Sequence, residues 1–345
     1  MSDELAPQEG PRATPPWRRR SVRAGAAVAA VAAVAALVAI SAVAIGGPTP
    51  SVPTATLHLG GKPVAVVADG QTLWVAGPSG RVWKVVPSRP TQHRSAGKIR
   101  PSAIAVGARG VWVVGPGAPW VWRFDPAPFA AAERIRVPGP PFAVAAGPGA
   151  VWVTIPDQHL LVRIAPKSKH VVAKIPVTTL VPRAVALIGN EVWVADPGVA
   201  VAQIDSKTKS VAMLIQLRGA RPQEGIAPLS CSLAAGAGAL WMANPVGSVT
   251  RIDPSKGHVV ASIAVGGHLA GITAVGGSVW VTDAEAGSVA RIDPETDAVT
   301  ARLPVGAGPG CVGVTPMAVW VATAEAGALI RLGGPAEPQP GRAQA

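Results

Sequence analysis

The chain has no tyrosine, three phenylalanines, two cysteines and four methionines in 345 residues, and each shortage narrows what it can be. Two cysteines, Cys231 and Cys311, are too few for a disulfide framework, so stability has to come from a buried apolar core. Both lie in apolar, strand-like runs and read as buried free thiols. The near-absence of Tyr and Phe removes the platform on which single-stranded nucleic acid stacks. Charged residues make up only 14% of the chain, against about a quarter in ordinary soluble proteins, which excludes disorder through charge repulsion over most of the length. Acids are the scarcer sign, with 19 Asp and Glu against 31 Lys and Arg. No phosphate loop, zinc-ligand spacing or nucleophile triad is visible, and no metal or cofactor is expected.

What is abundant is Gly (39) and Pro (36), in a chain that is 49% hydrophobic. Both residues break helix interiors, and neither follows the three-residue period of collagen, so many short elements joined by many turns remain. The net charge of +12 is uneven. Residues 1–23 carry +2 (5 basic, 3 acidic), residues 24–221 carry +13 (20 and 7), and residues 222–345 carry −3 (6 and 9). Such a field favours anionic partners on one side.

From Ala24 to Ile45 there are 22 uncharged residues, twelve of them Ala. As a helix they would cover about 33 Å, the thickness of a bilayer's hydrocarbon core. Arg18, Arg19, Arg20 and Arg23 stand directly before them, which predicts residues 1–23 as a disordered cytoplasmic tail, 24–46 as a single transmembrane signal anchor and the remainder as extracytoplasmic. Ala42-Val43-Ala44 is an alternative signal-cleavage site that would release the protein. A linker over 47–53 and a disordered tail over 334–345 complete the expected organisation.

The dominant feature between them is a repeat. Trp recurs at 74, 112, 152, 193, 241, 280 and 320, at spacings of 38 to 48 residues, and Lys84, Arg123, Arg163, Gln203, Arg251, Arg291 and Arg331 follow ten or eleven residues later. Each unit reads as four short strands, with turns such as Asp253-Pro254-Ser255-Lys256 and Asp293-Pro294-Glu295-Thr296 before the fourth. Seven such units cannot each bury a face alone, so the expectation is an all-β fold, a seven-bladed β-propeller of four-stranded blades over 54–333, preceded by the N-terminal transmembrane helix. The last unit lacks a fourth strand, while Thr54–Gly60 matches one, so the N-terminal strand 54–60 is expected to close the last blade.

The unit Trp280-Val-Thr-Asp283, Val289-Ala-Arg-Ile-Asp293, Val299 and Leu303-Pro-Val-Gly306 resembles the YVTN-type repeat of YncE-like β-propellers, with Trp where that name has Tyr. The resemblance covers residues 54–333 and is specific for fold. It also implies DNA binding, which would require a basic face with interleaved aromatics and access to DNA; the extracytoplasmic location disfavours nucleic acid as partner. Similar repeats resemble streptogramin lyase, whose metal-assisted elimination relies on a His and Glu cluster. Here His58, His93, His159, His170, His258 and His268 form no His-x-Glu or Glu-x-His pair, and Glu285 and Glu325 have no neighbouring His.

Propellers place ligands on the face built by the loops before each first strand and those between second and third strands. Those loops present Asp157, His159, Asp196, Asn244, Asp283, Glu285 and Glu325 as candidate ligand-binding residues, although such residues also form turns. The longest spacing, before Trp241, adds a loop with Arg218, Arg221 and Glu224. The repeated Trp reads as core between blades and the repeated Arg as a strand residue at the surface. Trp83, Trp120 and Trp122 break the pattern and are surface candidates. The expected role is a non-catalytic, membrane-anchored binding or scaffold module for an anionic envelope component or a protein partner.

Overall fold

The structure, a computed structural model, describes residues 55–333 except 88, 90, 96, 98, 130, 131 and 218–229. The expected tail, anchor and linker over 1–53, Thr54 and the expected tail over 334–345 lie outside the described residues. So do Arg218, Arg221 and Glu224. Among the described residues no helix is long and apolar enough to cross a membrane.

Among the described residues, twenty-eight strands form seven four-stranded antiparallel sheets. β1 (Ala55–His58) precedes blade 1, which is β2 (Ala65–Asp69), β3 (Thr72–Gly77), β4 (Arg81–Val85) and β5 (Gln92–Ser95). Blade 2 is β6 (Ala103–Gly107), β7 (Gly110–Val114), β8 (Trp120–Phe124) and β9 (Glu133–Arg136). Blade 3 is β10 (Val144–Ala146), β11 (Val151–Ile155), β12 (Leu160–Ala165) and β13 (His170–Pro176), and blade 4 is β14 (Ala184–Ile188), β15 (Glu191–Asp196), β16 (Ala200–Asp205) and β17 (Ser210–Gln216). Blade 5 is β18 (Leu233–Gly236), β19 (Ala239–Asn244), β20 (Ser248–Asp253) and β21 (His258–Ala264). Blade 6 is β22 (Leu269–Val275), β23 (Ser278–Asp283), β24 (Ser288–Asp293) and β25 (Ala298–Pro304). Blade 7 is β26 (Pro309–Thr315), β27 (Ala318–Thr323) and β28 (Ala328–Gly333), with β1 as its outer strand. β1 pairs with β28 from Ala55 opposite Arg331 to His58 opposite Ala328, so the ring is tied by strands from the two ends of the domain. This covers an edge that would otherwise offer unpaired N–H and C=O groups.

The repeated residues explain the blade-to-blade contact. Each repeated Trp lies directly opposite the repeated cation or Gln of the next strand, as in Trp74 with Lys84, Trp152 with Arg163, Trp241 with Arg251 and Trp280 with Arg291. Each indole is almost wholly buried and shares a core with the following blade. Trp241 joins Val279, Val281 and Ala290 of blade 6, Trp280 joins Val312 and Val321 of blade 7, and Trp320 joins Val75 and Trp83 of blade 1. At about 25 cal/mol per Å² over the roughly 200 Å² of a tryptophan, each burial contributes about 5 kcal/mol at most. The paired cation then lies over the ring, with Lys84 5.2 Å from Trp74 and Arg251 5.4 Å from Trp241. It also reaches the next blade: Lys84 Nζ donates to the Pro126 carbonyl, and Arg251 donates to the Pro294 carbonyl and pairs with Asp297. These cations therefore act as latches between blades as well as covers for the indoles.

Two expectations are corrected. Trp83 and Trp122 are not surface residues: they are 2% and 4% exposed, because on β4 and β8 they face the neighbouring blade's core, and Trp83 Nε1 donates to the Leu59 carbonyl. Trp120 is half-buried, with Arg134 and Arg136 against its ring. Nor are the cysteines free thiols: Cys231 and Cys311 form a disulfide. Curvature of the ring brings blades 5 and 7 together across the inner strand of blade 6, which ring-blind reading of two apolar strands does not reveal. The link crosses β22 at Gly271, where an added Cβ would stand 2.8 Å from both Cys311 Cα and the Gly310 carbonyl oxygen and 3.1 Å from Cys231 Sγ.

Candidate binding face

Antiparallel blades put the loops between second and third strands on the same side as the connections from one blade to the next. The described candidate residues stand on that side, distributed around the ring rather than gathered. Asp157 is exposed on a 3-10 turn, Pro156–Gln158, between β11 and β12. His159 follows it with φ 50°, and its Nδ1 lies 2.9 Å from the Leu180 carbonyl. A carbonyl can only accept, so Nδ1 is the donor of this contact.

Asp196, Asn244 and Asp283 occupy the same place in successive blades, three residues after the repeated Trp at the end of the second strand. The two carboxylates accept from backbone amides, and Asn244 donates to hydroxyls of the next strand. Asp196 Oδ2 accepts from Val181 N at 3.2 Å, which ties the incoming connection to the blade. Asp283, 2% exposed, accepts at Oδ1 from the amides of His268, Glu285 and Ala286 at 3.1, 3.1 and 3.0 Å. A Cβ at Gly267, whose φ is +65°, would fall about 2.1 Å from that carboxylate, so the turn requires glycine there. Asn244, also 2% exposed, donates from Nδ2 to Ser248 Oγ at 3.0 Å and Thr250 Oγ1 at 2.9 Å. Glu285 and Glu325 are exposed in the corresponding loops of blades 6 and 7, with Glu325 beside Gly308.

No three His, Cys, Asp or Glu side chains among the described residues approach one another as metal ligands would. Ring-like convergence on the channel does not occur either. The channel holds a cavity of about 330 Å³ lined by inner strands, with Val66, Ile104, Val185, Leu233, Ile272 and Val312 among its walls and Cys231 of the disulfide at its side. Its lining is aliphatic apart from Thr273 and Cys231, so it supplies neither a proton donor of catalytic type nor charge.

On the opposite side, the turns before the fourth strands use Asp as the sequence suggests. Asp253 Oδ1 accepts from Ser255 N and Lys256 N at 2.9 and 3.1 Å and from Ser255 Oγ at 2.7 Å, which holds its carboxyl at about 2. Asp205 and Asp293 make the same backbone contacts. Between blades 2 and 3, Glu133 bonds Lys169 at 2.7 Å and Arg123 at 3.1 Å. The Lys169 contact is the chief reason its carboxyl lies below the ordinary glutamate range.

Two features of the site were outside the sequence reading. One is the disulfide at the channel; the other is a cleft of about 540 Å³ between blades 4 and 5, lined by Asn244, Ser248, Thr250 and Ser262 on one side and Leu214 and Gln216 on the other. Comparing same-register residues of different blades could have found the second, because blade 5 alone places three hydroxyls beside its second-strand Asn.

No protein-family profile matches the chain, and no curated protein does. Among solved structures it is similar to a chain of Kuenenia stuttgartiensis hydrazine synthase, at 16% identity with a TM-score of 0.68, over 80% of this chain and 96% of that one. At that identity the likeness concerns fold: the protein is an all-β, seven-bladed propeller of four-stranded blades.

Proposed function

We propose that the protein is a non-catalytic recognition propeller, related to YncE-like proteins by its repeat, anchored in a membrane through residues 24–46 and displayed on the outer side, where it binds an anionic envelope component. The observation that carries the non-catalytic part is the use of the face's polar groups: Asp196, Asn244 and Asp283 hold turns and connections together, which gives a shaped surface rather than a reacting centre. The Cys231–Cys311 disulfide favours the extracytoplasmic location, since such bonds persist in oxidising compartments. Charge favours the anionic partner. The outer strands of blades 1–3 expose Arg94, Arg134, Arg136 and Lys174, within the segment that carries the +13 excess.

The test is binding of the purified propeller to vesicles with and without phosphatidylglycerol, and to an anionic envelope polymer, across a salt series. Affinity for the anionic probes should fall as salt rises past physiological strength, where charges are screened over about 8 Å. Replacing Arg218 and Arg221 together with Ala should weaken binding and leave the melting temperature in place, within the about 0.5 kcal/mol usual for substitutions away from a core. Equal binding to neutral vesicles at every salt concentration, or metal-dependent turnover of a cyclic depsipeptide, refutes the reading.

A further inference from the structure

The flank between blades 4 and 5 differs from the other blade junctions in a way the anion reading does not use. On the side of each blade that faces its predecessor, the third strand carries one residue just before the repeated cation or Gln. In six blades it is Trp83, Trp122, Val162, Ala202, Ala290 or Ile330; in blade 5 it is Thr250. Its partner on the outer strand is His93, Arg134, Lys174, Leu214, Arg302 or Thr56 in the other blades, and Ser262 in blade 5. Every other pair has at least one bulky or long side chain, whereas both members are small in blade 5, and the space left is the 540 Å³ cleft, within the size range of small-molecule sites.

The chemistry of its walls is specific. Asn244 donates to both Ser248 and Thr250, so each of those hydroxyls keeps its own O–H to give away. Asn244 Oδ1 is shielded from solvent and has no partner. The other side chains so placed among the described residues are Trp indoles, Arg Nε groups and Ser232, none of which lines the cleft. Gln216 and Ser262 add an amide and a hydroxyl, Leu214, Leu217 and Val259 supply an apolar wall, His258 stands at the edge, and among the described residues no Asp, Glu, Lys or Arg lines the cavity.

We infer that this cleft is a binding site for a neutral, hydroxyl-rich ligand of about disaccharide size, held by Asn244, Ser248, Thr250 and Ser262 with one face against Leu214 and Val259. Among the described lining residues no carboxylate, Lys or Arg offers a permanent counter-ion to a charged ligand, whereas a sugar's hydroxyls match an array of amides and hydroxyls with an apolar side. The site is separate from the basic flank, and its occupancy is independent of salt.

The experiment is calorimetric titration of the whole propeller with maltose, cellobiose, trehalose and N,N′-diacetylchitobiose, with glucuronate as the charged control. At least one neutral probe should bind saturably, with the same affinity at low and high salt, and glucuronate should not. Ser262→Leu installs the side chain blade 4 carries at this register and fills an exposed part of the cleft; it should weaken binding at least tenfold with an unchanged melting temperature. Asn244→Ile, the residue blade 3 carries at Ile155, should also weaken binding at least tenfold, with a lower melting temperature because its bonds to Ser248 and Thr250 are lost, so Ser262→Leu carries the comparison at unchanged stability. If none of the four neutral probes binds, or if binding is undiminished in Ser262→Leu, the site is not what we infer. Loss of anionic binding in the salt series leaves this result untouched, so the two readings fail separately.

Discussion

Breaking the Cys231–Cys311 bond tests how far the channel link stabilises the ring. The bonded residues are 80 apart in sequence, and constraint of an unfolded loop of that length amounts to about 4.5 kcal/mol at 25 °C. The domain from Ala55 to Gly333 has 279 residues, whose unfolding entropy of about 2.1 cal/mol/K each sums to about 0.6 kcal/mol/K. The double variant Cys231→Ala, Cys311→Ala should therefore melt about 8 °C below the parent in scanning calorimetry, and reductant should lower the parent by a similar amount while leaving the variant where it is. Gly271→Ala should also destabilise, by about 1–3 kcal/mol, because its new methyl meets the backbone of Cys311 and Gly310 as well as Cys231 Sγ. A parent protein that titrates as two free thiols without reductant, or whose melting temperature ignores reductant, refutes the link and with it the support it lends to an oxidising compartment.

Deleting residues 52–60 removes β1, exposes the edge of β28 and strips Trp83 of its Leu59 acceptor; aggregation or a large fall in melting temperature should follow in light scattering and calorimetry. Arg251→Ala removes the cover of Trp241 and the bonds to Pro294 and Asp297, and should cost about 2 kcal/mol in chemical denaturation, with Arg251→Lys between the two. Asp253 is held at about 2 instead of 3.8, first by the Ser255 hydroxyl. Its depressed value means its contribution to stability is complete above the ordinary aspartate range and disappears as pH falls from about 3.8 through about 2. Ser255→Ala should raise the carboxyl's midpoint in an NMR titration, and an unmoved midpoint would exclude the hydroxyl as cause.

The architecture was readable because its signal is written once per blade. Trp at a period near 40 residues and a polar residue ten or eleven later are the two halves of one cross-strand pair, so the spacing itself encodes a hairpin of fixed length. Asp253 and Asp293 were readable as turn formers for the same local reason. The face was less so. Asp196 and Asp283 offer carboxylates in loops, and sequence cannot tell a ligand from a carboxylate already saturated by Val181, His268 and Ala286 amides, because those donors come partly from the preceding connection. The disulfide depends on ring curvature, which brings together blades that are not neighbours in sequence. The blade 5 cleft depends on what is missing at Thr250 and Ser262 relative to their counterparts, a comparison across registers rather than along the chain.

The pairing of β1 with β28 also sets where the domain can be held. β28 begins at Ala328 on the side of Asp196 and Asp283 and ends at Gly333 on the other, and β1, running the opposite way, has Ala55 beside Arg331. Chain therefore enters and leaves the ring at one spot, on the rim of blade 7 and on the side away from the candidate face. A load applied through residue 55 pulls along the closing strand, so its four residue pairs shear together instead of opening one at a time. Because entry and exit adjoin, a new pair of ends could be opened at any inter-blade connection and the old ones joined by a short bridge, with the order of the blades around the channel preserved.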